Sequence, residues 1–532
     1  MEKVKSWKDL TLREKIGQTV TITTTELYKQ LENYESPAQF LEKYPLGGLF
    51  NSSRGQIVGF DLDSSANLAD VMVECNKHLR VNLIGSGDVG RVARDHKFGK
   101  ASQMAIGAAD DDDISYLSGE IFAEDFKTSG IHWGFSPVVD LAYSMKSTLG
   151  STRQISESPE QTIKIAKKQI QAMKDNGIIA TIKHYPGGNV DNLVDAHLAP
   201  RDNDMPFEKW MATTGKVYKE LIEAGVPTVM TGHTNLTDYQ TQQVDGIWPA
   251  ATFSYELTTK LLREELGFKG VVVTDALTMG GFGGEAGIER TIMSLEAGND
   301  MLLWPDLRYF DELEKRILNG TFDEKILDAA VERIWKLKEE YGILEGRQVK
   351  FEKEDSYFIE KAEEINKKSL TLMNNYKGNF PIDKNKIKKI LIIGVTPSDG
   401  EYEALTKLKD VLEEKGFQVD MERNVWVDHL QWKQPNYDLI IFAMSRSFHQ
   451  PQGPLDFWGR EAVSIWASNA GDANKIIIAN FGAPYIYKYY EVSGLTYLNA
   501  YDCHEHTIRT FVDALLGEFT PTGKSPVKLT SK

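Results

Sequence analysis

Three groups of residues in this sequence have the types and spacing that chemistry needs. Gly270-Val271-Val272-Val273-Thr274-Asp275 is an apolar strand that ends on a carboxylate, with Ala276-Leu277-Thr278-Met279 after it. An acid in that place either caps the next helix or serves as a nucleophile delivered by the strand. Asp195-Ala196-His197 puts an acid two residues before an imidazole. That acid can accept from one ring nitrogen, fix the tautomer and leave the other nitrogen to move a proton; the same triplet is also an ordinary surface pair. The third group is an apolar strand, Ile178 to Ile182, that stops on Lys183-His184 before Tyr185-Pro186-Gly187-Gly188-Asn189 forces a loop. Neighbouring strand residues point to opposite faces, so Lys183 and His184 act together only if the strand end twists. Otherwise they are simply the first solvated residues beyond a buried strand.

Other signals carry less. Gly85-Ser86-Gly87-Asp88-Val89-Gly90 spells a dinucleotide fingerprint, but Gly99 interrupts the helix that should follow, and no βαβ unit with a ribose-binding acid continues it. The glycines then serve as a sharp turn at a strand end. Asp95-His96 and Cys503-His504-Glu505-His506 hold potential ligands without standard metal spacing, so no metal and no cofactor is expected. His233, in Met230-Thr231-Gly232-His233, is either a support residue at another strand end or a packed loop histidine, and Trp133 and Trp304 are either pocket walls or core.

The elements that must position these residues follow from periodicity. Eight short apolar strands, at 18–23, 47–50, 82–85, 133–138, 178–183, 228–232, 271–274 and 300–303, alternate with helical stretches such as 158–176 and 207–224. That pattern predicts an α/β fold whose N-terminal part is a (β/α)8 barrel of the TIM type over 1–345, with its chemistry in the loops after the strands. A helix at 323–341 closes it. A linker with a helix near 358–373 is expected over 346–385. Strands near 387–394, 417–421, 439–444 and 476–480, with helices at 402–415 and 507–516, then predict a smaller doubly wound α/β sandwich over 386–532.

Composition narrows the class. The 532 residues are 41% hydrophobic and carry a net charge of −16. Such a chain folds, and its acidity disfavours phosphate backbones, so no nucleic-acid partner is expected. Cys75 and Cys503 form no disulfide framework. The N-terminal stretch lacks the apolar core of a signal peptide, and no 18-residue apolar run occurs. The expectation is a cytoplasmic protein without a membrane partner; the sequence leaves the oligomeric state open.

Taken in order, Lys-His-Tyr-Pro-Gly-Gly at 183–188, Asp-Ala-His at 195–197 and Val-Val-Val-Thr-Asp-Ala-Leu-Thr-Met at 271–279 resemble glycoside hydrolase family 3, in its β-N-acetylglucosaminidase branch. Gly-Arg-Val-Ala-Arg at 90–94, the stretch Gly130 to Leu141, Arg153 in Gly-Ser-Thr-Arg and Ala297 to Leu303 agree with it, and the likeness covers about 1–345. The resemblance implies a retaining exo-β-N-acetylglucosaminidase acting on a small carbohydrate, such as a GlcNAc-containing oligosaccharide, muropeptide or glycoside, in cell-wall recycling. It places the nucleophile on Asp275, the acid/base on His197 with Asp195 as its partner, and sugar hydroxyls on Lys183, His184, Arg153 and Arg94. Asp275 is followed by Ala276 rather than the tryptophan usual in the β-glucosidase branch. Two departures stand out. The family loop reads Pro-Gly-His-Gly where this chain has Pro186-Gly187-Gly188-Asn189, and the family's substrate-binding acid aligns with Ser86. Either Asp88 substitutes for that acid, or specificity at the sugar's 4- or 6-position has changed. A β-glucosidase, or a phosphorylase in which phosphate replaces water, are the alternatives.

Overall fold

The computed structural model describes residues 1–52, 67–88, 101–143, 151–187, 194–244, 246–282, 287–349, 354–446, 457 and 459–529. Two compact units emerge: Met1–Asp95 with Gly119–Asp140 and Ala166–Glu352, and His96–Ser118 with Leu141–Ile165 and Lys353–Lys532. The chain therefore crosses between units several times, where a single boundary after 345 is expected from the sequence.

The first unit is built on eight strands: β1 (Val20–Thr23), β2 (Gly48–Phe50), β3 (Ile84–Gly87), β4 (Trp133–Gly134), β5 (Ile179–Tyr185), β6 (Thr228–Thr231), β7 (Val271–Thr274) and β8 (Leu302–Leu303). They pair in parallel and in chain order, with β8 returning beside β1. A parallel bridge between Val273 and Met301 brings β7 and β8 together, so the sheet closes in the manner of a TIM barrel. All eight expected strands are present. They read as continuous apolar runs because both faces of a closed parallel sheet are buried. Phe50, Ile84, Trp133, Ile179, Met230, Val271, Val273 and Leu303 belong to one buried cluster. Trp133 is fully buried, and its indole N–H donates to the hydroxyls of Thr181 (2.8 Å) and Thr228 (3.0 Å). The barrel's far end is plugged by the helix Glu324–Glu340, capped by the Asp323 side chain. From it Lys338, fully buried, donates to Gln18 Oε1, Gly47 O and Asn82 O, each at 2.8 Å.

The second unit holds a six-stranded sheet in the order β11-β10-β12-β13-β14-β9: β9 (Thr371–Asn374), β10 (Lys389–Val395), β11 (Gln418–Arg423), β12 (Leu439–Met444), β13 (Ile476–Asn480) and β14 (Thr496–Asn499). All pairs are parallel except β14 with β9. Alternate residues feed opposite faces: Ile390, Ile392 and Ile441 join one apolar cluster, Leu391, Ile393 and Ile440 another. Two buried faces are what a doubly wound sheet requires. The stretch expected as a linker with a helix at 358–373 is corrected here. Its helix is Asp355–Ser369, and Thr371–Asn374 leaves it to pair antiparallel with β14. Local periodicity suits a longer helix; the ladder to β14 and the bond between the Thr371 and Tyr501 hydroxyls (2.8 Å) outweigh it.

Candidate active site

Asp275 leaves β7 at the C-terminal end of the barrel. Its main-chain N–H donates to Thr231 O of β6 at 2.8 Å, and its Oδ1 accepts the Ala276 N–H at 2.8 Å. Burial alone would raise this carboxyl. Lys183, the His184 and His233 imidazoles and the Ala276 N–H outweigh burial and hold it below the usual carboxylate range. His233 is a support residue, fully buried beneath the turn. Its Nε2 faces Ala276 O at 2.9 Å and its Nδ1 faces Thr252 Oγ1 at 2.9 Å. A carbonyl only accepts, so Nε2 carries the proton. Burial pushes the imidazole toward its neutral form, which suits that pairing.

Asp195 and His197 form a dyad. Asp195 Oδ1 lies 2.7 Å from His197 Nδ1 and also accepts the His197 main-chain N–H at 2.8 Å. The aspartate side chain is 1% exposed and the histidine 21%, so the acid is fixed and the imidazole reaches the surface. Nε2 is the ring nitrogen left to move protons. The dyad's loop is stitched to the loop after β7: Gly280 N–H donates to His197 O and Gly281 N–H to Ala196 O, both at 2.9 Å.

At the end of β5, Lys183 and His184 take different partners. Lys183 Nζ pairs with Asp88 Oδ2 at 2.7 Å, beyond the end of β3. His184 Nδ1 pairs with Asp140 Oδ2 at 2.7 Å, and the His184 N–H reaches Asp140 Oδ1 at 3.3 Å. The peptide between the two residues is cis. Burial would raise the Asp140 carboxyl, but His184 foremost, and Arg201, bring it below its ordinary value. Ser86 is fully buried with its hydroxyl on Leu49 O at 3.3 Å, which leaves Asp88 as the acid at this strand end.

The structure thus gathers Asp275, His197, Asp195, Lys183, His184 and Asp88 on strand ends or following loops of the first unit. Arg153 lies in the second unit, partly exposed on the turn Ser151–Arg153. Arg94, Asp95, His96, Gly90, Gly188 and Asn189 lie outside the described residues. Gly85 and Gly87 do not turn the chain, as the sequence suggests; they are inside β3. A Cβ on Gly85 would lie 2.7 Å from Met72 Cε, and one on Gly87 would lie 2.4 Å from Ile131 Cδ1, so close packing selects them. Trp133 is core, and Trp304, partly exposed, stands edge-on to Phe50. In the second unit the His504 and His506 rings stack at 5.3 Å, and burial pushes the Cys503 thiol up to about 11. Among the described residues no group of three or more His, Cys, Asp or Glu is placed to hold a metal ion, and no helix is long and apolar enough to cross a membrane. Sequence reasoning missed Asp140, Arg201 and Gly280. Asp140 ends the Phe135-Ser136-Pro137-Val138-Val139 run, an apolar stretch closing on an acid just as 271–275 does.

The glycosyl hydrolase family 3 N-terminal domain matches residues 11–337. The chain belongs to glycosyl hydrolase family 3. Among curated relatives of this family 3 chain, a β-N-acetylglucosaminidase/β-glucosidase of Cellulomonas fimi is 26% identical over 80% of this chain and 79% of its own length. Of several β-hexosaminidases that also match, this chain spans about half the length. Among solved structures, a family 3 β-N-acetylglucosaminidase from Paenibacillus sp. str. FPU-7 superposes with a TM-score of 0.78 at 23% identity, covering 98% of this chain and 100% of that one. A β-glucoside phosphorylase superposes with a TM-score of 0.81 at 24% identity, covering 98% and 95%. At these identities the superpositions show that the two-domain α/β fold is shared.

Proposed function

We propose that this family 3 chain is a retaining exo-β-N-acetylglucosaminidase that removes a terminal GlcNAc by double displacement. The observation that carries the reading is the 2.7 Å contact from Asp195 Oδ1 to His197 Nδ1, on a loop bonded to the one that follows Asp275. In the first step an Asp275 oxygen bonds to the sugar C1 while the bond to the aglycone oxygen breaks, and His197 Nε2–H protonates that oxygen. In the second, water adds to C1 and gives its proton to His197 Nε2 as the bond to Asp275 breaks. Asp195 stabilises the imidazolium that stands before the first step and is formed again in the second. Lys183, His184 and Asp88 hold ring hydroxyls. The roles of Arg94 and Arg153 stay with the family resemblance, as do cytoplasmic location and cell-wall fragments as substrate.

Phosphorolysis is the second reading. An imidazole base is neutral when it activates the acceptor, so it does not repel phosphate as a carboxylate would. The solved neighbour described as a β-glucoside phosphorylase shares the fold. A family 3 β-glucosidase is the third, and it predicts that His197 hardly matters. One assay separates them: 4-nitrophenol release from the β-N-acetylglucosaminide and the β-glucoside, with and without phosphate, for wild type, Asp275→Ala and His197→Ala. Cleavage of the acetamido sugar that collapses in both variants supports the proposal. Sugar 1-phosphate as product identifies a phosphorylase. Preference for the glucoside with an active His197→Ala overturns the acid/base assignment.

A further inference from the structure

A closed circuit of hydrogen bonds lies beneath Asp275. The Asp275 N–H donates to Thr231 O at 2.8 Å, and the Thr231 hydroxyl donates to Asn299 Oδ1 at 2.7 Å. Asn299 Nδ2 donates to Thr252 O and to Ser294 O, both at 2.8 Å. Thr252 Oγ1 stands 2.9 Å from His233 Nδ1, and His233 Nε2 donates to Ala276 O at 2.9 Å, which returns the circuit to the residue after Asp275. Thr231, Asn299, Thr252 and His233 are each no more than 1% exposed. They come from the end of β6, the turn Ala251–Phe253 and the stretch before β8. Each polar atom has one role that fits. Carbonyl oxygens only accept, so the Asn299 amide faces Thr252 O and Ser294 O, and the His233 proton sits on Nε2. His233 Nδ1 then accepts the hydrogen of the Thr252 hydroxyl, which also lies 3.0 Å from Gly232 O. In a dry interior, breaking one of these bonds strands a polar group, so the circuit holds its members in one geometry.

We propose that His233 and Asn299 are positioning residues for Asp275: through this circuit they set the direction in which the end of β7 presents the carboxylate. The circuit takes hold of the main chain on both sides of Asp275, by its own N–H and by the Ala276 carbonyl. The turn's other bonds, from Met279 N–H to the same carbonyl at 3.1 Å and from Leu277 N–H to Leu303 O at 3.0 Å, start beyond Asp275. The His233 ring also packs on Phe282, 5.7 Å between centroids, and so lies against the Gly280–Phe282 turn that is bonded to the dyad's loop. The inference rests on the reading of Asp275 as the nucleophile.

The test uses the full chain with His233→Leu, His233→Gln, Asn299→Ala and Thr252→Val. In His233→Leu kcat is expected to fall about a hundredfold, the loss that follows about 1 Å of displacement at reacting groups, with KM changed by less than about threefold. The fall in kcat/KM is equal on phenyl and dinitrophenyl β-N-acetylglucosaminides, because a misdirected nucleophile slows attack on both, whereas loss of a proton donor weighs on the phenyl glycoside. Asn299→Ala follows the same pattern with a loss of at least about tenfold. His233→Gln keeps an N–H for Ala276 O but not the ring's packing on Phe282, and recovers to within about tenfold of wild type. NMR of the ring nitrogens on labelled histidine, assigned with His233→Gln, is expected to show His233 protonated on Nε2 with a hydrogen-bonded Nδ1. In Thr252→Val the Nδ1 resonance moves to that of an unbonded nitrogen. Should His233→Leu or Asn299→Ala fail to fold, Thr252→Val, which removes one hydroxyl from the circuit, is read in its place. A proton on Nδ1, wild-type kcat/KM in the folded variants, a loss confined to the phenyl glycoside, or a His233→Gln no better than His233→Leu overturns the proposal. If wild type cleaves neither glycoside, or Asp275→Asn is as active as wild type, the reading of Asp275 fails, and the ring resonances still decide whether the circuit closes beneath that turn.

Discussion

The main-chain N–H of Gly280 donates to the carbonyl oxygen of His197 at 2.9 Å, so the proposed acid/base and the loop behind the proposed nucleophile move as one piece. That bond requires close backbone approach. A Cβ on Gly280 would fall 2.4 Å from Leu198 O and 3.0 Å from His197 O. Gly280→Ala therefore pushes the dyad's loop away from Asp275. A displacement of about 1 Å at reacting groups can cost about a hundredfold, so kcat is expected to fall ten- to a hundredfold. Gly281→Ala, whose Cβ would fall 2.5 Å from Ala196 O, is expected to do the same. By contrast Gly267→Ala meets nothing within 4 Å but sits at φ +79°, so it costs stability and spares kcat. Steady-state kinetics with thermal melts on all three separates the effects.

Asp275 and His197 should fail in different ways. Asp275→Asn removes the atom that bonds to C1, and kcat is expected to drop about ten-thousandfold. His197→Ala leaves the nucleophile in place. Its loss should be about a hundred- to ten-thousandfold on a phenyl glycoside and much smaller for the first step on a dinitrophenyl glycoside. Azide, which needs no base, should then speed turnover of His197→Ala and yield the β-glycosyl azide. No azide product, together with equal loss on both glycosides, would remove His197 from the acid/base role.

What the sequence makes legible follows from where each signal is local. The run from Val271 to Asp275 shows a buried strand and its acid within one stretch, and β7 spans the expected residues. Asp195 and His197 are two residues apart, so their contact is a matter of one turn. Arg201 and Asp140 are of another kind. Each acquires its place through residues far along the chain, Asp140 through His184 and Arg201 through His233, and no spacing rule reaches that far. β9 and β14 are hidden for the same reason: Thr371–Asn374 is short, continues a helical pattern, and becomes a strand only because β14 lies beside it.

Lys338 is a stability element at the end of the barrel opposite the site. Its acceptors, Gln18 Oε1, Gly47 O and Asn82 O, precede β1, β2 and β3. Burial pulls its ammonium down to about 7. Lys338→Met saves that desolvation but takes the donor from Gln18 Oε1 and Asn82 O, while Gly47 O keeps the Ile84 N–H at 3.0 Å, at about 1–3 kcal/mol for each unsatisfied group. A net loss of about 2–4 kcal/mol is expected, read as a lower urea midpoint at unchanged slope. Activity of the folded enzyme should be unchanged.

His132 gives the fold a pH dependence of its own. Its Nδ1 accepts the Gly85 N–H at 3.2 Å, so Nε2 carries the proton and donates to Arg347 O at 3.0 Å. Only the neutral ring can do both. Burial, foremost, lowers this histidine from 6.5 to about 4. Between those values the unfolded chain binds a proton that the native state does not, so stability is lost as pH falls from about 6.5 toward about 4. The shift corresponds to about 3 kcal/mol at most. Asp140 and Asp275, held below the ordinary carboxylate value, add a further loss only below about pH 4. His233, which burial also holds neutral, adds a loss in the same window, so urea unfolding at half-unit steps from pH 7 to pH 4 should show a fall in wild type that is shallower but still present in His132→Gln, even though the variant is less stable at pH 7. Parallel profiles for the two proteins would mean that the loss comes from other groups.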